Sequence, residues 1–171
     1  IPHESASYDL IVSFHVLEHA TELGPLLDDC RRVLKDGGMM VHVLPSSTWR
    51  FLTTFLYYFG VAAYVIRKIG GRVIKSEPVL DEGLKARWSS KLVPRRHGEL
   101  GNAITEIIHF GKNRWMNEFQ QTGFEVVTVH GSGIVYWGHD FIRTALGLRA
   151  RAVLSRLIGS SSIVYVLTKH P

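Results

Sequence analysis

Short apolar runs flank an amphipathic stretch in the first 45 residues. The run from Tyr8 to Phe14 is too short for a helix and is typical of a strand buried on both faces. The run from Met39 to Leu44 predicts a second strand. Between them, apolar residues recur at spacings of three and four, which predicts a helix that stops at Gly37-Gly38. Its apolar stripe comprises Leu23, Leu26, Leu27, Cys30, Val33 and Leu34. The three elements form a βαβ unit, for which a right-handed crossover is expected.

Three further elements are predicted towards the end of the chain. Lys112 to Thr122 has helical spacing, and Gly123 suits the left-handed conformation that ends many helices. Phe124 to His130 and Ser162 to Thr168 are runs of strand length that are rich in β-branched residues. We therefore predict a single α/β domain over residues 1–171, with helical insertions at 49–105 and 131–160.

Composition adds an uneven distribution of charge. The chain has 171 residues, of which 46% are hydrophobic and 20% charged, as is typical of one globular domain. Residues 49–98 carry ten basic and three acidic side chains, whereas residues 1–48 have a net charge of −4. This basic block suits an anionic partner such as a membrane surface, a phosphorylated substrate or nucleic acid, although a solvated face is the commoner explanation of such a block. We do not expect nucleic acid, because no recognisable binding module accompanies the block.

The basic block also contains an uncharged segment, Phe51 to Ile66, which includes six aromatic residues. It is shorter than the roughly 20 residues that a bilayer-spanning helix needs. Its aromatic content and basic flanks predict a helix that lies at a membrane interface or lines a lipid-sized pocket. The stretch from Phe141 to Ile158 has a similar character. An equally weighted interpretation is that both helices form a lid packed on the sheet.

Four motifs lie in and around the predicted strands. The motifs are YDLIVSFHVLEH (Tyr8 to His19), RVLKDGG (Arg32 to Gly38), IHF (Ile108 to Phe110) and TGFEVV (Thr122 to Val127). Together they resemble class I S-adenosylmethionine-dependent methyltransferases, specifically the type 11 group that acts on small molecules and lipids. The resemblance implies a partial Rossmann-like sheet with the strand order 4-5-7-6, in which the last strand is antiparallel.

The resemblance covers the C-terminal half of such a domain. In the family pattern, the glycine-rich turn and the acidic residue that hold the cofactor precede the position of Ile1. We therefore expect either a piece of a longer enzyme or a remnant of one. The implied function is methyl transfer from S-adenosylmethionine to a small-molecule or lipid-like acceptor in the cytoplasm, with peripheral contact at the inner membrane surface. The alternative is a noncatalytic membrane-associated module.

The turns after the first two strands supply the candidate site residues, because ligands of doubly wound sheets bind outside the carboxyl ends of the strands. Methyl transfer requires alignment of donor and acceptor and, for a hydroxyl or amine, a base, a role that histidine suits near neutral pH. The predicted catalytic residues are, in order, His19, His15 and His109; the predicted cofactor-binding residues are Phe14 and His15; and the predicted substrate-binding residues are Glu18, Pro45, Ser46 and Ser47.

The spacing of His15, Glu18 and His19 also matches two metal-binding patterns. Inverted zincins carry H-x-x-E-H, but within a long helix, whereas here the motif follows a predicted strand. The turn is also similar to the E-x-x-E-H of quinone-precursor O-methyltransferases, in which the carboxylates and the histidine bind a divalent ion. We predict no metal. The alternative is a divalent ion, for which His15 in place of the first glutamate favours zinc.

Overall fold

The computed structural model describes residues 1–69, 94, 96–99, 101–137 and 146–170. The regular elements of these ranges are β1 (Tyr8–Phe14), a 3-10 turn (Leu17–His19), α1 (Leu23–Val33), β2 (Leu34–Pro45), α2 (Ser47–Ile69), α3 (Thr105–His109), α4 (Lys112–Gln121), β3 (Phe124–Gly131), α5 (Leu148–Ile158) and β4 (Ser162–Lys169).

The strands form a four-stranded sheet in the order β1-β2-β4-β3. β1 pairs in parallel with β2, and β4 runs antiparallel to both β2 and β3. The α/β fold with strand order 4-5-7-6 that the resemblance implied is thereby confirmed. Because β4 is reversed, its first residue, Ser162, pairs with Pro45 at the end of β2. The start of β4 therefore lies at the same sheet edge as the carboxyl ends of β1 and β2.

The helix before β2 ends earlier than its sequence pattern predicts. α1 ends at Val33, and Gly37-Gly38 lie inside β2 rather than at a helix stop, so that prediction was wrong. Gly37 has a φ of 77°, and the pairing of β1 with β2 shifts register between Tyr8 and Leu10. A glycine in the left-handed region is what such an irregularity requires, because a Cβ atom is strained there.

One face of the sheet carries the hydrophobic core. α1 and α4 both cover this face, and Gly123, with a φ of 78°, follows α4 as predicted. The buried cluster consists of Leu17, Leu27, Cys30, Leu34, Met40, Leu44, Trp115, Phe119, Phe124, Tyr165 and Leu167. On the opposite face, Leu10, Val12 and Phe14 of β1 are between 46% and 66% exposed. β1 is therefore covered on one face only in the described structure, and the prediction that this strand is buried on both faces was wrong.

The uncharged segment 51–66 lies within α2. Its exposed apolar side chains recur at helical spacing and are Phe51, Phe55, Tyr58, Phe59 and Ile66. No helix in the described ranges is both long and apolar enough to cross a membrane. Residues 70–93 and 138–145, parts of the two predicted insertions, lie outside the described residues. The division of the chain into a domain and two insertions stays a prediction.

A histidine lies inside the core. The His42 side chain is 1% exposed, its Nδ1 atom is 2.6 Å from Ser13 Oγ, and its ring stacks on that of Phe119 at 5.7 Å. Burial lowers the pKa of His42 from 6.5 to about 4, because the charged imidazolium loses its hydration there. The folded state therefore holds His42 neutral where an unfolded chain would begin to protonate it.

Folding stability should fall because of His42 as the pH drops from about 6.5 to about 4. In this window the unfolded state binds a proton that the folded state excludes. The difference between the two pKa values corresponds to a loss of about 3 kcal/mol in the free energy of unfolding. Urea denaturation of the unmodified chain and of His42→Leu across this range measures the effect.

The substitution also changes the stability by an amount that is constant with pH, because it removes the contact with Ser13. The informative quantity is thus the slope of the unfolding free energy against pH. The His42→Leu slope should be shallower; parallel curves would show that His42 does not titrate between the two states.

Candidate active site

His15 is the first residue after β1 and has a φ of 51°. This left-handed conformation is uncommon for a residue other than glycine and costs about 1–3 kcal/mol, so neighbouring contacts must maintain it. The backbone N–H of His15 donates to the carbonyl of Val43 at 2.8 Å, which continues the pairing of β1 with β2 by one residue. The turn after β1 is thus anchored to the end of β2.

The ring of His15 contacts groups on both sides. Its Nε2 atom is 2.9 Å from Ser162 Oγ and 3.0 Å from Tyr136 Oη, and these two hydroxyls also hydrogen-bond to each other. Its Nδ1 atom lies 3.4 Å from Glu18 Oε1. The start of β4 and the loop after β3 therefore fix the ring so that Nδ1 faces Glu18.

Glu18 is the centre of the site. Its side chain is fully buried, and its Oε1 atom also lies 3.8 Å from His97 Nε2 and 4.0 Å from His19 Nε2. Among the described residues, neither carboxylate oxygen has a hydrogen-bond partner. Burial raises the pKa of Glu18, but its interactions with His15 and His97 more than offset burial and lower the pKa to about 2. At neutral pH the site therefore contains a buried negative charge ringed by imidazoles.

A buried ion pair holds the segment that carries His97. Arg50 of α2 and Glu106 of α3 are almost completely buried, and Arg50 Nε lies 2.8 Å from Glu106 Oε2. The other oxygen of Glu106 accepts hydrogen bonds from the backbone N–H groups of His97 and Gly98 at 2.7 and 2.8 Å. The His97 ring packs against Trp49, with the ring centroids 4.6 Å apart. α2 and α3 thus direct His97 towards Glu18.

The structure brings two of the three predicted catalytic histidines together at Glu18. His15 is fixed as described, whereas the side chain of His19 is 43% exposed and its ring lies 5.0 Å from that of His97. His109 is on α3 and lines a pocket that Glu18 and Arg114 also line. His109 and the Glu18 carboxylate thus line the same pocket, but this pocket does not bring the rings of His15, His19 and His109 into contact.

The other predicted site residues lie at the same edge. Phe14 is 66% exposed at the end of β1, and Pro45 is buried at the end of β2. The Ser46 hydroxyl accepts a hydrogen bond from the backbone N–H of Trp49 at 3.1 Å, which is the contact of a helix N-cap. The Ser47 hydroxyl donates a hydrogen bond to a backbone carbonyl of α3. Both hydroxyls support the start of α2. Their part in substrate binding stays a prediction.

Sequence reasoning missed His97, Tyr136 and Ser162. The antiparallel last strand could have indicated Ser162, since its first residue must lie beside the ends of the first two strands. No spacing rule relates His97 or Tyr136 to His15, because each contact joins residues far apart in the chain. Only the folded sheet and the Arg50–Glu106 pair bring them together.

This arrangement can perform two kinds of chemistry. A partly exposed imidazole next to an ionised carboxylate can accept a proton, because the carboxylate stabilises the imidazolium that forms. In addition, His15, Glu18 and His97 each offer a ligand atom, and these atoms lie within 4.8 Å of one another. Two imidazoles and a carboxylate are donors of the kind that bind transition-metal ions.

Comparisons with known proteins support the fold that the strand order of the sheet indicates. Residues 1–42 match the family model described as "Methyltransferase domain". Two curated proteins named ubiquinone biosynthesis O-methyltransferase, from Bradyrhizobium sp. (strain ORS 278) and Nitrobacter winogradskyi, are each 35% identical over 60 residues. The alignment covers 35% of this chain and 22% of each relative, so the chain matches only about a fifth of their length.

Two solved structures share the fold. One belongs to the complex between the Haloferax volcanii Trm112 methyltransferase activator and a methyltransferase, with a TM-score of 0.52 and 11% identity over all of this chain and 57% of that chain. The other is an S-adenosylmethionine-dependent methyltransferase from Listeria monocytogenes, with a TM-score of 0.50 and 10% identity over all of this chain and 65% of that chain. Together with the strand order and the match over residues 1–42, they show that the chain has the fold of class I S-adenosylmethionine-dependent methyltransferases and that its first 42 residues are similar to this family.

Proposed function

We propose that this protein transfers a methyl group from S-adenosylmethionine to a small-molecule or lipid-like acceptor at the edge where β1 and β2 end. The observation that carries the proposal is the Glu18-centred histidine cluster at the carboxyl ends of β1 and β2, where ligands of such sheets bind. No observation on the described residues favours the alternative of a noncatalytic module.

The residues present fit part of a methyl-donor site. S-adenosylmethionine supplies an electrophilic methyl group, so the protein's own task is to align the acceptor and remove its proton. Phe14 offers an exposed aromatic side chain beside His15 at the end of β1, as expected of the cofactor side of the site.

His19 is the proposed proton acceptor. Its ring is the more exposed of the two predicted bases in the turn, so an acceptor can reach it, and its Nε2 atom lies 4.0 Å from Glu18 Oε1. Glu18 would stabilise the imidazolium formed when the acceptor loses its proton. His15 is held by Ser162 and Tyr136 and would position Glu18 rather than take up the proton itself.

The acceptor class rests on two observations. Two curated relatives are named ubiquinone biosynthesis O-methyltransferases, which supports an oxygen acceptor on a small or lipid-like molecule. The pocket next to the cluster is lined by polar and apolar side chains, among them Glu18, His109, Phe110, Arg114 and Trp115. The mixed lining places polar and apolar groups side by side next to the cluster.

Replacing His19 should lower turnover strongly while leaving the fold intact. We expect His19→Ala in the full-length protein to lose about 10²- to 10⁴-fold in kcat, because a general base contributes that much. Transfer of a radiolabelled methyl group to phenolic acceptors measures the rate. His130→Ala, which removes an exposed histidine on β3, is the matched control and should keep its activity. An unchanged rate in His19→Ala would rule out His19 as the base.

We further propose that α2 brings the protein to the cytoplasmic surface of an anionic membrane. Phe51, Phe55, Phe59 and Ile66 are each more than half exposed and share one stripe of the helix. The surrounding residues 49–98 supply seven net positive charges, and each basic group near an anionic surface contributes about 1 kcal/mol. Insertion of the apolar stripe and attraction of the basic residues would thus both favour an anionic membrane.

Liposome flotation tests the membrane proposal. The protein should float with vesicles that contain phosphatidylglycerol at low salt, and less so at high salt, because salt screens the attraction. Phe55→Asp should reduce flotation, whereas Val127→Asp, at an equally exposed apolar site on β3, should not. Equal recovery in the soluble fraction with and without anionic vesicles would contradict the proposal and favour a packed lid.

A further inference from the structure

We propose that His15, Glu18 and His97 form a binding site for a divalent transition-metal ion of the zinc class. The ligand atoms are His15 Nδ1, the Glu18 carboxylate and His97 Nε2, all within 4.8 Å of one another. His97 comes from outside the turn that carries the other two residues. The site is argued from these residues alone, and metal binding can be measured without a methyl donor or an acceptor.

Glu18 provides the strongest indication of a ligand. A fully buried carboxylate is costly unless hydrogen bonds or a positive charge compensate it, yet neither oxygen of Glu18 has a hydrogen-bond partner among the described residues. The groups that surround its Oε1 atom are imidazoles at 3.4 to 4.0 Å, at or beyond the limit of hydrogen-bond distance. A bound cation would satisfy both oxygens without any change in the fold.

The two imidazoles are oriented as ligands. Metal-binding histidines usually bond their second ring nitrogen to a neighbouring group, which fixes the ring. His15 does so through Nε2, which contacts Ser162 and Tyr136 while Nδ1 faces Glu18. The Nε2 atom of His97 is buried and has no hydrogen-bond partner in the described part of the chain, and it points towards the same carboxylate oxygen.

The two distances from the imidazole nitrogens to Glu18 Oε1 are close to those of an occupied site, and the three ligand atoms lie within 4.8 Å of one another. Zinc lies about 2.1 Å from nitrogen and oxygen ligands, which places tetrahedral ligands about 3.4 Å apart. The distance from His15 Nδ1 to Glu18 Oε1 already has this value, and that from His97 Nε2 is 3.8 Å. Small side-chain shifts would close the site and leave a fourth position open for water or an acceptor oxygen.

The chemistry of the ligands selects the class of metal. Imidazole suits zinc, copper, iron and nickel, whereas magnesium and calcium prefer sets of oxygen ligands. Two imidazoles and one carboxylate therefore favour a transition metal over magnesium. His19 is expected to stay outside the ligand set, because its Nε2 atom is the farthest of the three imidazole nitrogens from Glu18 Oε1.

Titration of the 171-residue chain with Co²⁺ and Zn²⁺ tests the proposal. Co²⁺ should produce the visible absorption of a four- or five-coordinate ion with one ion per chain, and Zn²⁺ should displace it, whereas excess Mg²⁺ should not. We expect His97→Ala and Glu18→Gln to weaken Zn²⁺ binding by more than about 100-fold, since loss of supporting groups alone typically costs 10- to 100-fold. Circular dichroism establishes that each variant is folded.

Two controls separate this site from adventitious binding. His130→Ala removes an exposed histidine elsewhere and should leave the Zn²⁺ dissociation constant within twofold of the unmodified value. Tyr136→Phe retains all three ligands but removes a group that orients His15, so about 10-fold weaker binding is expected. The proposal is overturned if folded His97→Ala binds Zn²⁺ as tightly as the unmodified chain, or if Mg²⁺ displaces Co²⁺ at comparable concentration.

Discussion

The antiparallel placement of β4 between β2 and β3 is the constraint on which the site depends. It pairs Ser162 with Pro45, so that the start of the last strand meets the ends of the first two. The backbone N–H of Ser46 donates to the carbonyl of Ser161, and the Ser161 hydroxyl donates to the carbonyl of Tyr136. One short segment at the start of β4 thereby positions the entry to α2, the loop after β3 and the ring of His15.

Two buried glutamates differ in the groups that compensate their charges. Glu106 is compensated by Arg50 and by two backbone N–H groups, as expected of a buried charge with a structural role. Glu18 is just as buried, but the ion-pair partners within 4.0 Å of its carboxylate, among the described residues, are imidazoles. Because Glu106 holds the backbone at His97, this ion-paired carboxylate helps to position a neighbour of Glu18. This contrast is the physical basis for assigning function to Glu18.

Local pattern was sufficient to predict the strands. The apolar run from Tyr8 to Phe14 became β1 with the predicted bounds, because a short continuous apolar run is typical of a strand, although Leu10, Val12 and Phe14 are exposed. The Gly37-Gly38 pair misled the prediction of the helix end, since the same residues serve a register shift inside β2. A glycine in the left-handed conformation is expected both after the end of a helix and at an irregularity in a strand, so the glycine pair alone does not distinguish the two.

The candidate site could be predicted only in part. His15, Glu18 and His19 follow a strand end directly, so topology was enough to select them. His97 and Tyr136 reach the cluster through tertiary contacts, and their roles depend on side-chain positions that no local spacing encodes. The Ser46 and Ser47 hydroxyls were selected by the same topological rule, but in the structure they hold the start of α2.

The most direct test of the account is whether three histidines share one carboxylate. In a chain with ¹⁵N-labelled histidine, nuclear magnetic resonance can follow every imidazole before and after Glu18→Gln. The account predicts that the ring signals of His15, His19 and His97 shift together, while those of His42 and His130 stay in place. A shift confined to His19, the neighbour of Glu18 in sequence, would contradict the cluster.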